Sequence, residues 1–276
     1  MHLQWFPGHM TRAFRMMEEE VKLVDGIIYV LDARAPFACL NKKLSSLFNN
    51  KPVVYVLNKS DLVLESELKK VIVDFENQNK TVLTSIGISE KSGKKVYDAI
   101  FKELSPIIER NKNKGIKKPL RVMVVGTPNT GKSTIINSLT GGKKARTGDK
   151  AGVTKDKQWI KLKDLELLDT PGTTPPSFDS QTNAMFLAFI GSINDDILDF
   201  LELSINLIDF LKGKYPDAIK NAYNILETDI DSYEILKLIA KKRGAIKKGG
   251  EIDEDRVANL LINDLRKGKL GKILFA

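Results

Sequence analysis

RVMVVGTPNTGKST, residues 121–134, joins an apolar run to a glycine-containing segment that ends in Lys-Ser-Thr. The apolar run predicts a buried strand, and the pattern G-x-x-x-x-G-K-S over residues 126–133 predicts a loop, followed by a helix, whose backbone N–H groups bind phosphates. In such a loop Lys132 bridges the β- and γ-phosphates of a nucleoside triphosphate, and the Ser133 hydroxyl ligates Mg²⁺. The loop starts at residue 126 of 276, so more than a third of the chain precedes it.

The fold class follows from the apolar runs on both sides of this loop. Short runs rich in Val and Ile alternate with longer amphipathic stretches, which predicts an α/β fold with a mostly parallel sheet and helices on both faces. The predicted strands are GIIYVL (26–31), VVYVL (53–57), TVLTSIGI (81–88), RVMVV (121–125) and LELL (165–168).

Two breaks divide the chain. ERNKNKGIKKP, residues 109–119, is polar and cationic, which indicates an exposed connector between two halves of the sheet. After Pro175 and Pro176 only helical periodicity continues. We therefore expect a phosphate-binding domain over residues 1–177 and a small all-helical domain over residues 178–276.

A second phosphate-side motif is LELLDTPG, residues 165–172. Asp169 at the end of its strand is expected to hold the Mg²⁺ shell, and the Gly172 N–H is expected to meet the γ-phosphate. Taken alone, an ordinary Asp-Thr-Pro-Gly turn explains the motif equally well. Thr154, in the basic segment 141–156, is the candidate switch threonine that completes metal coordination, although several threonines lie nearby.

NKSD, residues 58–61, follows the strand VVYVL and predicts guanine recognition. The Asp61 carboxylate can accept hydrogen bonds from guanine N1–H and the N2 amino group, Lys59 can lie along the base, and Asn58 can brace the loop. Adenine would leave that carboxylate, expected to be buried, unpaired. Ser89, Glu90 and Lys91 form a further candidate loop for guanine O6, with a plain turn as the alternative.

The order of these motifs indicates a circularly permuted P-loop GTPase domain. The base-reading segments precede the phosphate loop, and a parallel sheet tolerates this because its strands must be adjacent in space but not in chain order. DTPG then leads directly into the helical segment, which suggests that loss of the γ-phosphate is transmitted there. The predicted nucleotide contacts are Asn58, Lys59, Asp61, Ser89, Glu90, Lys91, Asn129, Thr130, Gly131, Lys132, Ser133, Thr134 and Gly172, the predicted metal ligands are Ser133, Thr154 and Asp169, and Lys132 and Thr154 are also assigned catalytic roles.

Composition limits the class of protein. There are 44 Lys and Arg residues against 35 Asp and Glu, a formal net charge of +9 that favours polyanionic partners or simply a basic surface. Cys39 is the single cysteine, which excludes an internal disulfide framework, and no signal-peptide pattern is present, so a cytoplasmic location is expected. No apolar run reaches the roughly 18 residues that a membrane span requires.

Six segments carry a family resemblance: WFPGHM (5–10), DARAP (32–36), NKSD, GTPNTGKST, DTPG and RVANLLINDLRKGKLGKI (256–273). Together they resemble the bacterial ribosome biogenesis GTPase A family, also called YlqF, over essentially the whole chain. The resemblance implies GTP and GDP as ligands with Mg²⁺, and an RNA-contacting helical domain that acts late in maturation of the large ribosomal subunit. Such a protein binds rRNA with GTP and leaves after hydrolysis. We expect a monomer without a membrane span or DNA as partner.

The resemblance also implies roles for single residues. In that family the residue after DTPG is typically apolar where other GTPases carry a water-orienting Gln, and Thr173 departs from this pattern. His9 of WFPGHM is then the candidate for positioning the attacking water, with docking of the N-terminal segment or RNA contact as alternatives. Asn129 is a candidate for K⁺ binding near the phosphates, or it only braces the loop.

Two basic runs are candidate RNA contacts: Arg266, Lys267, Lys269 and Lys272, and residues 241–248. Such groups neutralise phosphates, but at a helix C-terminus they also complement the helix dipole. A competing function is a nucleotide-gated RNA-binding scaffold with negligible turnover of its own. The sequence leaves that choice to experiment.

Overall fold

The structure is a computed structural model of the chain. It describes residues 8–48, 50–87, 89–142, 145, 157–162, 164–174, 178 and 180–276, with the backbone alone at positions 9 and 90. The strands run in the order β3-β2-β1-β4-β6-β5 in one six-stranded sheet. They are β1 Gly26–Asp32, β2 Val53–Asn58, β3 Thr81–Ser85, β4 Leu120–Val125, β5 Gln158–Lys161 and β6 Leu165–Asp169.

Strand pairing places the functional motifs at one edge of the sheet. β1 pairs in parallel with β2 and with β4, and β4 pairs in parallel with β6, while β5 is antiparallel to β6. The register sets Asp32 opposite Asn58 and Val124 opposite Asp169. DARAP, NKSD, the phosphate loop and DTPG therefore all begin where parallel strands end, which is the usual ligand-binding edge.

Alternation along the central strands builds a core on each face. Ile28 and Val30 pack with helices on one face, whereas Tyr29 and Leu31 join a cluster on the other. That second cluster continues without interruption into the C-terminal helices. The helices are α1 Gly8–Glu20, α2 Lys42–Ser46, α3 Glu65–Glu76, α4 Glu90–Glu103, α5 Ser105–Asn113, α6 Lys132–Thr140, α7 Gln181–Phe189, α8 Phe200–Lys214, α9 Asp217–Tyr223, α10 Ser232–Arg243 and α11 Glu254–Arg266.

The C-terminal helices begin at side-chain caps. Asp199, Asp231 and Asp253 each accept a hydrogen bond from a backbone N–H in the first turn of α8, α10 and α11. Gly244 ends α10 in the left-handed region, which glycine adopts without strain. The predicted fold class is confirmed: a mostly parallel α/β sheet with helices on both faces precedes an all-helical region.

Local predictions were wrong at some points. β5 was missed because its four residues give no clear alternation, and it makes one sheet edge antiparallel. β3 ends at Ser85, short of the predicted 88, and α5 extends to Asn113 into the expected connector, so only residues 114–119 of the connector are non-helical. Within the described part of the chain, no helix is long and apolar enough to cross a membrane.

Candidate nucleotide site

The phosphate loop connects β4 to α6, and its glycines are required by close backbone approach. Gly126 has φ +154°, and a Cβ there would lie 2.2 Å from the Val30 carbonyl oxygen of β1. Gly131 has φ +91°, and its Cβ would lie 2.2 Å from Asn58 Nδ2. Any side chain at either position would push the loop off the neighbouring strand ends. The loop is thus fitted against β1 and the end of β2.

Lys132 begins α6 and is buried, with its ammonium directed back over the loop. Its Nζ donates to the carbonyl oxygens of Gly126 and Thr127 at 3.2 and 3.1 Å. Burial lowers the pKa of Lys132 to about 8, although the charge of Asp169 opposes the shift. Phosphate oxygens placed here would favour the charged form, so this cation suits an anionic ligand.

Asp169, the last residue of β6, supplies a buried carboxylate that is incompletely paired. Its Oδ1 has no hydrogen-bond partner among the described residues. Burial raises the pKa of Asp169 to about 6, even though Lys132 and the Thr170 N–H act in the opposite direction. A buried carboxylate oxygen without a partner fits a divalent cation, because hard cations take carboxylate oxygens. No cluster of three or more acidic, His or Cys ligands occurs among the described residues.

DTPG lies directly against the phosphate loop. A Cβ on Gly172 would be 2.8 Å from Pro128 Cα and 3.0 Å from Lys132 Nζ, and Thr173 N–H donates to the Gly126 carbonyl at 3.3 Å. Glycine at position 172 therefore allows the backbone to approach the phosphate loop and Lys132 closely. Thr154 lies outside the described residues.

The N-terminal helix approaches this motif. Thr174 Oγ1 donates to the sulfur of Met10 at 3.2 Å, and both side chains are fully buried. This contact sets the first turn of α1, with the backbone of His9, beside the residues that follow DTPG. The side chain of His9 lies outside the described residues. Thr173 Oγ1 is buried without a hydrogen-bond partner in the described part of the chain.

The NKSD segment is hydrogen-bonded to the phosphate loop. Asn58 Nδ2 donates to the Thr130 carbonyl at 2.8 Å, and Lys59 Nζ donates to the Asn129 carbonyl at 2.7 Å. Asp61 lies in a single 3₁₀ turn, Ser60–Leu62, and is exposed, so the expectation of a buried carboxylate is wrong for this structure. Exposure leaves its oxygens accessible to a base.

The segment around Ser89 packs against NKSD and against α6. A Cβ on Gly87 would lie 2.9 Å from Asn58 Oδ1 and 3.1 Å from Thr134 Cγ2, so the backbone passes between NKSD and α6. Ser89 is the N-cap residue of α4, and Lys91 is exposed. The side chain of Glu90 lies outside the described residues. Backbone geometry therefore brings this loop next to NKSD.

Sequence reasoning assigned no chemistry to DARAP, yet it contributes buried charges. Arg34 donates to both oxygens of Asp32, through Nε at 2.9 Å and Nη2 at 2.8 Å, and Lys59 Nζ lies 3.0 Å from Asp32 Oδ2. Burial alone would raise the pKa of Asp32, but Arg34 and Lys59 outweigh it and hold the pKa well below its usual range. The signal available in the sequence was an Asp and an Arg directly after an apolar strand.

The helical region also touches the loop. Asn129, in the left-handed region with φ +61°, donates from Nδ2 to the Ile190 carbonyl at 3.1 Å, and Ser192 Oγ donates to the Pro128 carbonyl at 2.7 Å. These partners lie just after α7. They are backbone and hydroxyl groups, so no sequence motif marks them.

The predicted RNA contacts separate into structural and exposed groups. Arg266 is not a free cation: it donates to both oxygens of Asp195 at 2.8 Å and to the carbonyls of Ala188 and Phe189. Lys269 pairs with Asp264 at 3.0 Å. Arg243 also pairs with Asp264, at 3.2 Å, although both it and Lys269 are exposed. The other exposed cations of these runs are Lys241, Lys242, Lys247, Lys248, Lys267 and Lys272.

Known proteins resemble the chain in sequence and in fold. Residues 121–242 match the family described as 50S ribosome-binding GTPase. All of the chain aligns at 39% identity with 94% of Ribosome biogenesis GTPase A from Bacillus cereus, and 99% of it aligns at 31% identity with 94% of the protein of that name from Thermotoga maritima. The crystal structure of GNP-bound YlqF from T. maritima is similar with a TM-score of 0.66 and 29% identity, covering 96% of this chain and 97% of that one.

Proposed function

The chain belongs to the ribosome biogenesis GTPase A family, and from this premise we propose that it is a Mg²⁺-dependent GTPase that acts as an assembly factor in late maturation of the large ribosomal subunit. It binds rRNA of a precursor subunit in its GTP state and is released after hydrolysis. The observation that carries the proposal is the joining of two distant motifs: Lys59 and Asn58 donate to the carbonyls of Asn129 and Thr130, so a base-reading segment and a phosphate loop form one site.

Each residue of the site has a role in binding. Lys132 exchanges its carbonyl partners for β- and γ-phosphate oxygens, and the N–H groups of residues 129–134 and Gly172 donate to the phosphates. Ser133, Thr154 and Asp169 hold Mg²⁺, which neutralises charge on the phosphate oxygens. Asp61 and Lys59 select guanine, Asn58 braces the loop, and the backbone of Ser89, Glu90 and Lys91 faces O6.

Hydrolysis is direct attack of water on the γ-phosphorus, which breaks its bond to the β,γ-bridging oxygen and yields GDP and phosphate. No Gln follows DTPG in this chain, so the water must be oriented by another group. The Met10–Thr174 contact supports His9 in that role, because it brings the backbone of position 9 to the residues after DTPG. His9→Ala should then slow turnover and leave GTP affinity unchanged.

Asn129 is proposed as a K⁺ ligand. Its Nδ2 is used by the Ile190 carbonyl, which leaves Oδ1 as the atom that a cation can take. The cation would stabilise charge on the phosphates as an arginine finger does in other GTPases. Faster turnover in K⁺ than in Na⁺, lost in Asn129→Ala, would support this role.

RNA contact is assigned to the helical domain, residues 178–276, which follows the GTPase domain of residues 1–177. The loop after α10 carries Lys247 and Lys248, and a bridge between Ile246 and Ile252 closes it. With Lys241 and Lys242 on the same helix end, the exposed cations are close enough in sequence to bind one phosphate backbone. As part of the same proposal, the protein is a cytoplasmic monomer that does not bind DNA.

Steady-state GTP hydrolysis in K⁺ and Mg²⁺ tests the proposal, with large subunits added and with small subunits as the polyanion control. We expect strong stimulation by large subunits alone. Equal stimulation by both would reduce the RNA contact to non-specific charge, and no hydrolysis under any condition would favour the nucleotide-gated scaffold.

Charge variants locate the contact. Neutralising Lys241, Lys242 and Lys248 to Gln should weaken stimulation and flatten its salt dependence. The matched control neutralises Lys112, Lys114 and Lys117, which are equally exposed at the C-terminal end of α5 and just beyond it. Equal losses in both triple variants would refute the assignment to the helical domain.

A further inference from the structure

DARAP contains a buried ion pair that the proposed reaction does not use. Arg34 is 2% exposed and Asp32 is fully buried. Arg34 holds the carboxylate in two parallel hydrogen bonds, a geometry that fixes both planes. A buried pair of this kind contributes little net stability, so its value lies in what the two groups orient.

On one side, the pair reaches the nucleotide site. Asp32 Oδ2 lies 3.0 Å from Lys59 Nζ, and Lys59 in turn donates to the Asn129 carbonyl at 2.7 Å. Lys59 is therefore placed by a carboxylate from β1 as well as by the phosphate loop. Its backbone is in the left-handed region, φ +57°, which a lysine adopts only where its surroundings enforce it.

On the other side, the pair reaches the end of α11. Arg34 Nη1 donates to the carbonyl oxygens of Arg266 at 3.3 Å and of Leu265 at 3.5 Å, which caps the helix C-terminus with a cation. The residues after the helix contact the DARAP segment and the turn that follows NKSD. Ile273 N–H donates to the Leu62 carbonyl at 3.0 Å, and Phe275 N–H donates to the Arg34 carbonyl at 2.6 Å.

The Arg266 side chain connects α11 with the phosphate loop through the end of α7. It donates to the Ala188 and Phe189 carbonyls, and the next carbonyl, that of Ile190, accepts from Asn129 Nδ2. Gly191 is wedged between them: a Cβ there would lie 2.9 Å from Asn129 Nδ2 and 3.2 Å from Arg266 Nε. Together with the peptide bond between Phe189 and Ile190, the contacts close a ring, the positioning ring, that runs through Asp32, Lys59, Asn129, Ile190, Phe189, Arg266 and Arg34.

We propose that Arg34 and Arg266 are positioning residues through which the docked helical region sets the orientation of Lys59 and Asn129 at the nucleotide. The ring holds Lys59 for the base and turns the Asn129 amide so that Oδ1 is free. The inference rests on the proposed function only in taking Lys59 and Asn129 as nucleotide contacts. By reciprocity, a nucleotide that fixes these groups also tightens the docking of α11.

Equilibrium binding of a fluorescent GDP to the full-length chain tests this inference. Arg266→Gln should weaken affinity by about tenfold, equivalent to roughly 1.4 kcal/mol. Asp195→Asn, which removes one partner of Arg266 at an exposed position, should weaken it by about two- to threefold. Asp196→Asn is the matched control, since the neighbouring carboxylate is also exposed and accepts a hydrogen bond from Asn194 within the same turn. It should bind as the unmodified chain does.

Double-mutant cycles in GDP affinity distinguish a positioning role from a general loosening of the fold. If Arg266 acts through Asn129, the Arg266→Gln change should cost less than about twofold once Asn129→Ala is present. Arg34→Lys, which keeps a cation beside Asp32 but lacks the planar fork that also spans the α11 carbonyls, should give a loss that is not additive with Arg266→Gln.

Full additivity, or unchanged GDP affinity in variants that still unfold cooperatively, would overturn the proposal. If Arg266→Gln does not fold, the same double-mutant cycle is measured with Asp195→Asn and Asn129→Ala. Additive losses of GDP affinity in that cycle would refute the proposal. The readout is nucleotide affinity, so a chain that binds GDP normally but ignores large subunits would refute the proposed function and leave the ring intact.

Discussion

Two buried aspartates end the strands on either side of β4, and their surroundings are opposite. Asp32 at the end of β1 is paired with Arg34 and Lys59, which hold its pKa well below the usual range. Asp169 at the end of β6 has an oxygen without a partner among the described residues, and burial raises its pKa to about 6. Both side chains are almost inaccessible, so burial does not distinguish them.

The difference shows how pairing separates a structural charge from a ligand-binding one. A buried carboxylate that is fully hydrogen-bonded has nothing left to bind, and removing it strands its partners. A buried carboxylate with an unused oxygen is costly to the free protein and is explained when a cation or another ligand supplies the missing contact. The pairing therefore indicates a structural role for Asp32, and it supports the proposed role of Asp169 in ligand binding.

Asp32→Asn should have the largest effect, a loss of about 3–5 kcal/mol in the free energy of unfolding. The amide leaves the Arg34 guanidinium buried without its counter-charge. Urea unfolding followed by circular dichroism measures the change, and Asp74→Asn on the exposed side of α3 is the control, expected to lie within about 0.5 kcal/mol of the unmodified chain. A loss below about 1 kcal/mol would contradict the structural assignment.

Asp169→Asn should have the opposite effect, with little change in stability and a large loss of GTP turnover. Its stability should change by less than about 1 kcal/mol, because removing a poorly paired charge compensates for the loss of attraction to Lys132. Mg²⁺-dependent GTP turnover should fall on the order of 100-fold, since a ligand to the metal is lost. Asp164→Asn, exposed before β6, controls for charge. Normal turnover in Asp169→Asn would remove this residue from the metal site.

The fold could be predicted wherever alternation and apolar content agreed. The strands β1, β2 and β4 contain five apolar residues each and β6 contains three, and their apolar side chains divide cleanly between two cores. β5 could not be predicted, because its exposed end residues Gln158 and Lys161 surround only two apolar residues.

The site was predictable to the extent that its chemistry resides in side chains of contiguous motifs. NKSD, the phosphate loop and DTPG satisfy that condition. The partners of Asn129 and Lys59 do not, because Ile190 offers only a carbonyl and Asp32 acts from a different strand. Arg266 is the opposite case: a cation that a charge pattern assigns to RNA is engaged by Asp195 and by the Ala188 and Phe189 carbonyls at the C-terminal end of α7.

The comparison predicts a specific pH dependence of nucleotide affinity. Asp169 must be ionised to hold Mg²⁺, and its pKa is raised to about 6, so protonation competes with the metal as pH falls through that value. The advantage of the unmodified chain over Asp169→Asn in Mg²⁺-dependent GDP binding should shrink by about tenfold per pH unit below the pKa. Taking this ratio cancels the titration of GDP itself. A constant ratio from pH 7 to pH 5 would place the Asp169 pKa elsewhere.

Thr173 gives the smallest test, at a hydroxyl that is also buried without a partner in the described residues. Thr173→Val keeps the shape and removes that hydroxyl, so the free energy of unfolding should rise by about 1 kcal/mol. GTP turnover should stay within about twofold, as expected if the water is oriented by another group. Thr170→Val is the matched control and should destabilise, because Thr170 Oγ1 donates to the Val124 carbonyl at 2.8 Å. A stable Thr173→Val variant with strongly reduced turnover would instead show that this hydroxyl, like the unpaired oxygen of Asp169, is kept for the ligand.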